Sequence, residues 1–146
     1  MNIGDQLPPF ELKDERGSII NSETLIGRPL VVYFYPKDDT PGCTMEACGF
    51  KDRYEDFEGF GASVVGISTD SPESHLRFKQ KYNLPFMLLS DVDRKVEKLF
   101  KVKRNFFDLI SARVTFVFNG KGKLIHKHNS QLNPVSHIKE ALKALA

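Results

Sequence analysis

The sequence predicts an α/β domain in which helices flank a central mixed β-sheet, and three observations support this. The chain has 146 residues, the size of one ordinary domain, and its 40% hydrophobic residues are enough for a core. Short runs of β-branched and aromatic residues alternate with amphipathic stretches of helical period. No repeat, low-complexity tract or linker divides the sequence, so we predict one domain over residues 1–146.

The predicted strands are apolar runs bounded by turn residues. The run at 30–35 (LVVYFY) lies between two prolines and has the composition of a buried strand. The same pattern predicts strands at 62–68, 87–90 and 114–118, and a further strand is predicted at 123–128. The last two flank the segment NGKG, a hairpin turn sequence, so we expect them to pair antiparallel.

Four helices are predicted around these strands, at about 43–57, 72–82, 94–100 and 134–145. The first has Phe50, Tyr54 and Phe57 spaced to share one face. The second follows Ser71, a capping residue, and has proline at its first helical position. This order of strands and helices is what a thioredoxin-like sheet with flanking helices would give.

Charge and cysteine content exclude several classes of protein. The chain has 21 Lys+Arg against 19 Asp+Glu, and a net charge of +2 with interspersed signs argues against a nucleic-acid or membrane-surface binder. No apolar run is long enough to span a membrane, and the N-terminus does not resemble a secretion signal. We therefore expect a cytoplasmic protein, or a plastid one if a transit peptide has been removed. Two cysteines do not make a structural disulfide framework and are predicted to be working thiols.

The segment 36–48 (PKDDTPGCTMEAC) carries the chemistry. It follows a buried strand and opens a predicted helix, so Cys43 lies near the unpaired N–H groups and positive dipole end that stabilise a thiolate. A free cysteine is about 3% thiolate at pH 7, so mostly thiolate requires about 3 to 4 kcal/mol of stabilisation. The helix dipole supplies up to about 2 kcal/mol. A guanidinium hydrogen bond would add about 1.5 to 3 kcal/mol, so we expect an arginine in the site.

Residues around Cys43 suit a peroxide substrate. The Thr40 hydroxyl, three residues before Cys43, can accept a hydrogen bond from a peroxide and donate one to the sulfur or the leaving oxygen. Pro36 and Pro41 stiffen the loop and limit the access of water. This arrangement suits in-line displacement on a peroxide oxygen.

These residues resemble a known family. Pro36, Thr40 and Cys43 match the P-x-x-x-T-x-x-C signature of peroxiredoxins, and the run 36–49 is similar to the bacterioferritin comigratory protein, or peroxiredoxin Q, branch. The similarity covers nearly the whole chain. The resemblance implies that Cys43 is the peroxidatic cysteine and that Pro36 and Thr40 shape its pocket. Arg113, in the segment RVTF, resembles the family's strand-borne arginine, and Glu46 matches a glutamate of the branch's motif that would orient Arg113.

The resemblance also implies an activity. It indicates an antioxidant thiol peroxidase that reduces hydrogen peroxide and organic hydroperoxides without a cofactor. The partners it implies are the hydroperoxide and thioredoxin or a similar dithiol protein, and the protein would be a monomer.

The spacing of the two cysteines sets a geometric condition. Cys43 and Cys48 are five positions apart, which on a helix separates them by about 7.5 Å along the axis and about 140° around it. A disulfide needs Cα atoms within about 7 Å. We therefore predict that the first turns unwind once Cys43 is a sulfenic acid, so that Cys48 can condense with it. The sequence has no other cysteine to resolve the intermediate, and a thioredoxin-like partner would reduce the small exposed disulfide loop.

Two other functions remain open. A thiol–disulfide oxidoreductase or redox sensor would be favoured by a C-x-x-C motif, which the sequence does not contain. A non-catalytic thioredoxin-fold binding module would leave the set of Pro36, Thr40, Cys43 and Arg113 unexplained.

The remaining polar residues give no further site. Two cysteines without a second metal-binding pair leave a zinc tetrahedron half empty, and we predict no metal. His126 and His128, on one face of a strand, are predicted to be surface or hydrogen-bonded residues. We likewise predict that His75 and His137 are surface residues and that Asp38 and Asp39 are solvated turn residues.

Overall fold

The computed structural model describes residues 1–105 and 110–146, with the backbone alone at 104–105 and 110–111. The described strands are β1 (Glu11–Lys13), β2 (Ile19–Asn21), β3 (Leu30–Phe34), β4 (Ser63–Ser68), β5 (Met87–Ser90), β6 (Arg104–Asn105), β7 (Ile110–Ser111), β8 (Val114–Phe118) and β9 (Leu124–Asn129). The described helices are α1 (Pro41–Asp52), α2 (Tyr54–Gly59), α3 (Pro72–Tyr82), α4 (Lys95–Leu99) and α5 (Ser136–Leu145), with a short 3₁₀ helix at Ser22–Leu25.

Seven strands form one mixed sheet in the order β2-β1-β5-β4-β3-β8-β9. Strands β3, β4 and β5 run parallel, whereas β1, β2, β8 and β9 add antiparallel pairs at the two sides. Strands β6 and β7 form a separate antiparallel pair. The thioredoxin-like α/β architecture predicted from the sequence is therefore confirmed.

Strand β3 lies inside the sheet, between β4 and β8, and both of its faces are buried, as its apolar sequence predicts. Leu30, Val32 and Phe34 point into one core, and Val31 and Tyr33 point into the other. The first, the α4 core, packs against helix α4. The second, the α1 core, packs against α1, α2, α3 and α5 and contains Cys43. Cys43 therefore belongs to a packed interior layer.

The register of β3 and β8 positions the site. These strands are antiparallel and pair Phe34 with Val114, so the carboxyl end of β3 meets the amino end of β8. The loop that follows β3 and leads to Cys43 thus lies beside Arg113, which directly precedes β8. Two segments far apart in sequence are joined by this one register.

Most predicted elements are found within one or two residues, but the first predicted helix is wrong as a continuous element. It ends at Asp52 and a new helix begins at Tyr54, because Arg53 leaves the helical conformation with φ −106° and ψ 15°. Phe50 and Phe57 are nevertheless both buried, as their spacing predicts. Four strands of only two or three residues were not predicted from the sequence: β1, β2, β6 and β7.

No helix in the part of the chain that the structure describes has the length and apolar character needed to cross a membrane.

Candidate active site

Cys43 lies in the first turn of α1. The N-cap is Thr40, Pro41 occupies the first helical position, and the first helical hydrogen bond runs from the Thr44 N–H to the Thr40 carbonyl at 2.8 Å. The N–H groups of Gly42 and Cys43 precede that bond and therefore have no intrahelical acceptor. The Cys43 side chain, 1% exposed, lies at the positive end of the helix dipole in a site shielded from water.

Arg113, which directly precedes strand β8, contacts Cys43. Its Nη1 lies 3.4 Å from Cys43 Sγ and 2.9 Å from Glu46 Oε1, so one guanidinium nitrogen contacts both groups. Gln131 holds Arg113 in place through two hydrogen bonds. The Gln131 backbone carbonyl accepts from Arg113 Nε at 3.3 Å, and the Gln131 side-chain oxygen accepts from the Arg113 backbone N–H at 3.0 Å. The structure thus brings three of the predicted residues, Cys43, Glu46 and Arg113, into one buried cluster.

Glu46 is a fully buried carboxyl one turn after Cys43. Its Oε1 accepts from Arg113, whereas its Oε2 has no hydrogen-bond partner among the described residues and lies 3.7 Å from His137 Nδ1. Burial raises the pKa of Glu46 to about 8, and the charge and hydrogen bond of Arg113 only partly oppose this. The carboxyl therefore holds a proton more tightly than an ordinary glutamate does.

The prediction that His137 lies on the surface is wrong, because its side chain is fully buried beside Glu46. Its Nε2 lies 2.8 Å from the Ser130 carbonyl, which can only accept, so Nε2 carries a proton. Its Nδ1 lies 2.8 Å from Thr115 Oγ1 and accepts from that hydroxyl. Burial lowers the pKa of His137 to about 4, so the imidazole is neutral at neutral pH.

Pro36 and Thr40 belong to the loop between β3 and α1, and both are half-buried. The Thr40 hydroxyl donates to the Lys37 carbonyl at 2.8 Å, which closes the loop upon itself. Thr40 occupies the N-cap position, but its side chain makes no capping hydrogen bond to α1. Within the described residues, no hydrogen bond joins Thr40 to Cys43.

Cys48 lies in the same helix as Cys43. The helix is unbroken between the two residues, and both thiols are free. Cys48 is half-buried, and burial raises the pKa of its thiol. This is the geometry in which the two sulfurs cannot bond without a change in α1.

The prediction that Asp38 is a solvated turn residue is also wrong. Its side chain is buried and accepts at 2.6 Å from the Tyr35 hydroxyl and at 2.8 Å from the Ser74 hydroxyl. Its Oδ2 also lies 2.7 Å from Nδ1 of His75, a second histidine predicted on the surface that is instead fully buried. The other ring nitrogen of His75 lies 2.9 Å from the Leu89 carbonyl. Asp38 therefore anchors the active-site loop to α3.

Asp39 is exposed, as predicted, and contacts Lys81 at 2.7 Å and Tyr82 at 2.7 Å. These neighbouring aspartates differ because Asp38 turns inward whereas Asp39 has a positive φ of 57° and reaches the surface of α3.

A metal is not favoured by the groups that the structure describes. The one cluster with suitable spacing there is Asp38, Asp70 and His75, with ligand atoms within 4.8 Å. Both nitrogens of His75 already have partners, and Asp70 accepts from the Asp38 N–H at 2.8 Å and from the Ser68 hydroxyl at 2.7 Å. The cluster is better described as a hydrogen-bonded network.

Sequence reasoning missed His137 although a signal was present. On α5, His137 lies next to Ile138 and one turn before Ala141, and all three are buried on the same face. A histidine on the apolar face of an amphipathic helix indicates a buried, hydrogen-bonded group. The Thr115 partner has no such local signal, because it comes from a different strand.

The chain resembles proteins of one family along most of its length. A family model described as AhpC/TSA family matches residues 3–127. The chain is 49% identical over 142 residues to a chloroplastic peroxiredoxin Q of Sedum lineare, covering 97% of this chain and 76% of the relative.

Two solved structures extend this similarity. The peroxidoxin BcpB of Mycobacterium tuberculosis superimposes with a TM-score of 0.92 at 36% identity, covering 99% of this chain and 96% of that one. The bacterioferritin comigratory protein of Xanthomonas campestris, from a study of its alkyl peroxide reduction activity, gives a TM-score of 0.86 at 30% identity, with 97% of each chain covered.

Proposed function

This chain belongs to the AhpC/TSA family, as a thiol peroxidase of the peroxiredoxin Q type, and from that premise we propose that Cys43 is the residue that attacks the peroxide. The observation that carries the proposal is the contact of Arg113 Nη1 with Cys43 Sγ at 3.4 Å inside a buried cluster. A fixed cation beside a sulfur at a helix N-terminus favours the thiolate, the form of cysteine that acts as a nucleophile.

The first chemical step follows from this geometry. The Cys43 thiolate attacks one peroxide oxygen, the O–O bond breaks, and the sulfur becomes a sulfenic acid as an alcohol or water leaves. Arg113 stabilises negative charge on the sulfur before the step and on the leaving oxygen during it. Thr40 joins this step by releasing the Lys37 carbonyl and turning its hydroxyl to the peroxide, within the loop that begins at Pro36.

The second step uses Cys48. The first turns of α1 unwind, the Cys48 thiol condenses with the sulfenic acid, and a Cys43–Cys48 disulfide forms with release of water. A dithiol protein such as thioredoxin then reduces the disulfide by thiol exchange. The half-buried position of Cys48, close in sequence to the helix end at Asp52, supports this role.

We propose hydrogen peroxide and organic hydroperoxides as substrates, and the similarity to the Xanthomonas campestris protein supports the organic class. Residues 1–146 would act as one domain and as a monomer, with no nucleic-acid partner. The plant relatives are named chloroplastic, which favours a plastid over the cytoplasmic location predicted from the N-terminus.

The test is peroxide consumption in the presence of thioredoxin, thioredoxin reductase and NADPH. We expect Cys43→Ser to abolish turnover and Cys48→Ser to stop after one peroxide per protein. If the wild type turns over and Cys43→Ser does so equally, the assignment of Cys43 fails. If the wild type consumes no peroxide with any dithiol, the role of redox sensor or binding module takes its place.

A further inference from the structure

The Glu46 carboxyl is poorly supplied with hydrogen-bond donors for a buried group. Ionised carboxylates in protein interiors are usually stabilised by several donors. Glu46 has one described donor, Arg113 Nη1 at 2.9 Å, and that same nitrogen also faces Cys43 Sγ. Its second oxygen, Oε2, is buried without a hydrogen-bond partner in the described part of the chain.

His137 explains why Oε2 lacks a donor. It is close, with Nδ1 3.7 Å from Oε2, but its proton is on the other nitrogen, where it binds the Ser130 carbonyl. The Nδ1 lone pair is already occupied by the Thr115 hydroxyl. A neutral histidine in this tautomer presents no N–H to the carboxyl. Glu46 therefore faces a basic nitrogen and a cation but receives no second hydrogen bond from the described residues.

Four charged or titratable side chains surround Glu46 among the described residues, each from a different part of the fold. Arg113, before β8, is the cation, and Cys43 on α1 is the other group that can become an anion. His137 on α5 is neutral, and Tyr33 on β3 stays neutral because burial and then the charge of Glu46 raise its pKa well above its usual range. Arg113 is thus the one described cation beside two groups that can lose a proton, Cys43 and Glu46. If both were ionised, one buried negative charge would have no compensating positive charge.

We propose that Glu46 stores the proton that Cys43 loses and returns it to the leaving oxygen of the peroxide, with His137 as the positioning residue that keeps this proton on Glu46. The inference rests on the proposed function of Cys43. In the resting enzyme the proton passes from the Cys43 thiol to the Glu46 carboxylate. In the reaction, thiolate, carboxylic acid and ROOH give sulfenic acid, carboxylate and ROH: an S–O bond forms, the O–O bond breaks, and sulfur is oxidised by two electrons.

The proposal can be tested on the reduced protein without turnover. Infrared difference spectroscopy detects the carbonyl stretch of a protonated carboxylic acid, which is absent from a carboxylate. We expect this band in reduced wild type at pH 7, its loss as the pH rises past about 8, and its absence from the same position in Glu46→Gln. Rapid mixing with one equivalent of peroxide at pH 7 should remove it transiently, before the Glu46 carboxylate takes up a proton from water.

His137→Gln tests the positioning role. A glutamine amide at this position can donate to Oε2 and stabilise the carboxylate, so the midpoint for loss of the band should fall by about 1 to 2 pH units, the effect of one charge-assisted hydrogen bond. His128→Gln is the matched control, because His128 packs against His137 with ring centroids 4.8 Å apart but bonds Ser136 instead. It should leave the midpoint unchanged.

Different results would overturn the role of Glu46, the role of His137 and the proposed function. No acid band in the reduced wild type, or a band that persists in Glu46→Gln, overturns the proton store. A midpoint that does not move in His137→Gln overturns the role of His137. If Glu46→Gln fails to fold, the peroxide-induced loss of the wild-type band and the shift in His137→Gln still decide the matter. A failed peroxidase assay with an intact band would reject the proposed function, and with it the return of the proton to peroxide, but would leave the protonated state of Glu46 established.

Discussion

The guanidinium of Arg113 lies against the α-carbon of Gly42, so closely that a methyl group on Gly42 would come within 2.9 Å of Nη2. We predict that Gly42→Ala pushes the guanidinium away from Cys43 and slows peroxide reduction about tenfold or more, the cost of one charge-assisted hydrogen bond. The free energy of unfolding should change by less than about 1 kcal/mol, because the tip of a flexible side chain can move. Stopped-flow oxidation of Cys43 and denaturant unfolding measure the two effects.

Gly59→Ala is the matched control for this substitution. Gly59 lies in helix α2, and a methyl group there meets nothing within 4 Å. It should leave the oxidation rate unchanged and stabilise the protein by up to about 1 kcal/mol through helix propensity. Equal rates for wild type and Gly42→Ala would show that the position of Arg113 does not limit the reaction.

Asp38 and Asp39 should respond very differently to the same substitution. The buried Asp38 carboxyl accepts from the hydroxyls of Tyr35 and Ser74, and its Oδ2 also lies 2.7 Å from Nδ1 of the fully buried His75. Asp38→Asn should lower the free energy of unfolding by about 1 to 3 kcal/mol and loosen the active-site loop, because the amide nitrogen cannot accept the hydrogen bonds that a carboxyl oxygen accepts. Asp39→Asn, at the exposed contact with Lys81, should have little effect. Urea unfolding of both variants checks this, and equal losses would contradict it.

The raised pKa of Glu46 predicts how stability depends on pH. Folding raises this pKa from 4.5 to about 8, so the folded protein binds the proton more tightly and stability falls as pH rises through that window. Folding lowers the pKa of His137 from 6.5 to about 4, so its contribution is lost as pH falls. The two effects oppose each other most strongly between about pH 4.5 and 6.5, and at higher pH the fall in stability due to Glu46 dominates.

We therefore expect the free energy of unfolding of the reduced protein to drop by about 1 to 1.5 kcal/mol between pH 6.5 and 8. In Glu46→Gln, which cannot ionise, this part of the drop should disappear. Urea titrations of both proteins in a reducing buffer at the two pH values give the comparison. A wild-type stability that is flat over this interval would be incompatible with a buried acid titrating near pH 8.

Formation of the Cys43–Cys48 disulfide should reduce the helix content of the protein. Both cysteines lie in the unbroken helix α1, and we expect one equivalent of peroxide to remove about two turns of it. Far-ultraviolet circular dichroism measures the loss, which thioredoxin should reverse. Cys48→Ser, which stops at the sulfenic acid, should keep its helix. An unchanged signal in a protein with the disulfide confirmed by mass would contradict the unwinding.

Local patterns in the sequence predict the main elements of the fold. Strands β3, β4 and β8 follow from runs of β-branched and aromatic residues, and α3 follows from Ser71 and the proline after it. The very short strands β1 and β2 were missed because three residues are too few to show a period, and their pairing depends on neighbours far along the chain. The break at Arg53 was missed for a related reason: the apolar spacing of Phe50 and Phe57 continues across it.

The active site, like the fold, could be predicted from the sequence only in part. The position of Cys43 at a helix start follows from its own segment, and the need for a cation follows from the energy of the thiolate. That Arg113 supplies the cation came from the family resemblance, since only the register of β3 and β8 brings it there. His75 and His137 look like surface residues because their partners, the carbonyls of Leu89 and Ser130, leave no mark on the sequence.

The unbroken helix between the two cysteines also makes the redox chemistry a matter of folding thermodynamics. If the disulfide forms only when α1 unwinds, the packing of α1 through Ala47 and Phe50 stabilises the dithiol form alone. Each 1.4 kcal/mol of that packing then raises the reduction potential by about 30 mV. A core substitution that weakens α1 would lower the potential and narrow the range of cellular dithiols able to regenerate the enzyme, without touching either sulfur.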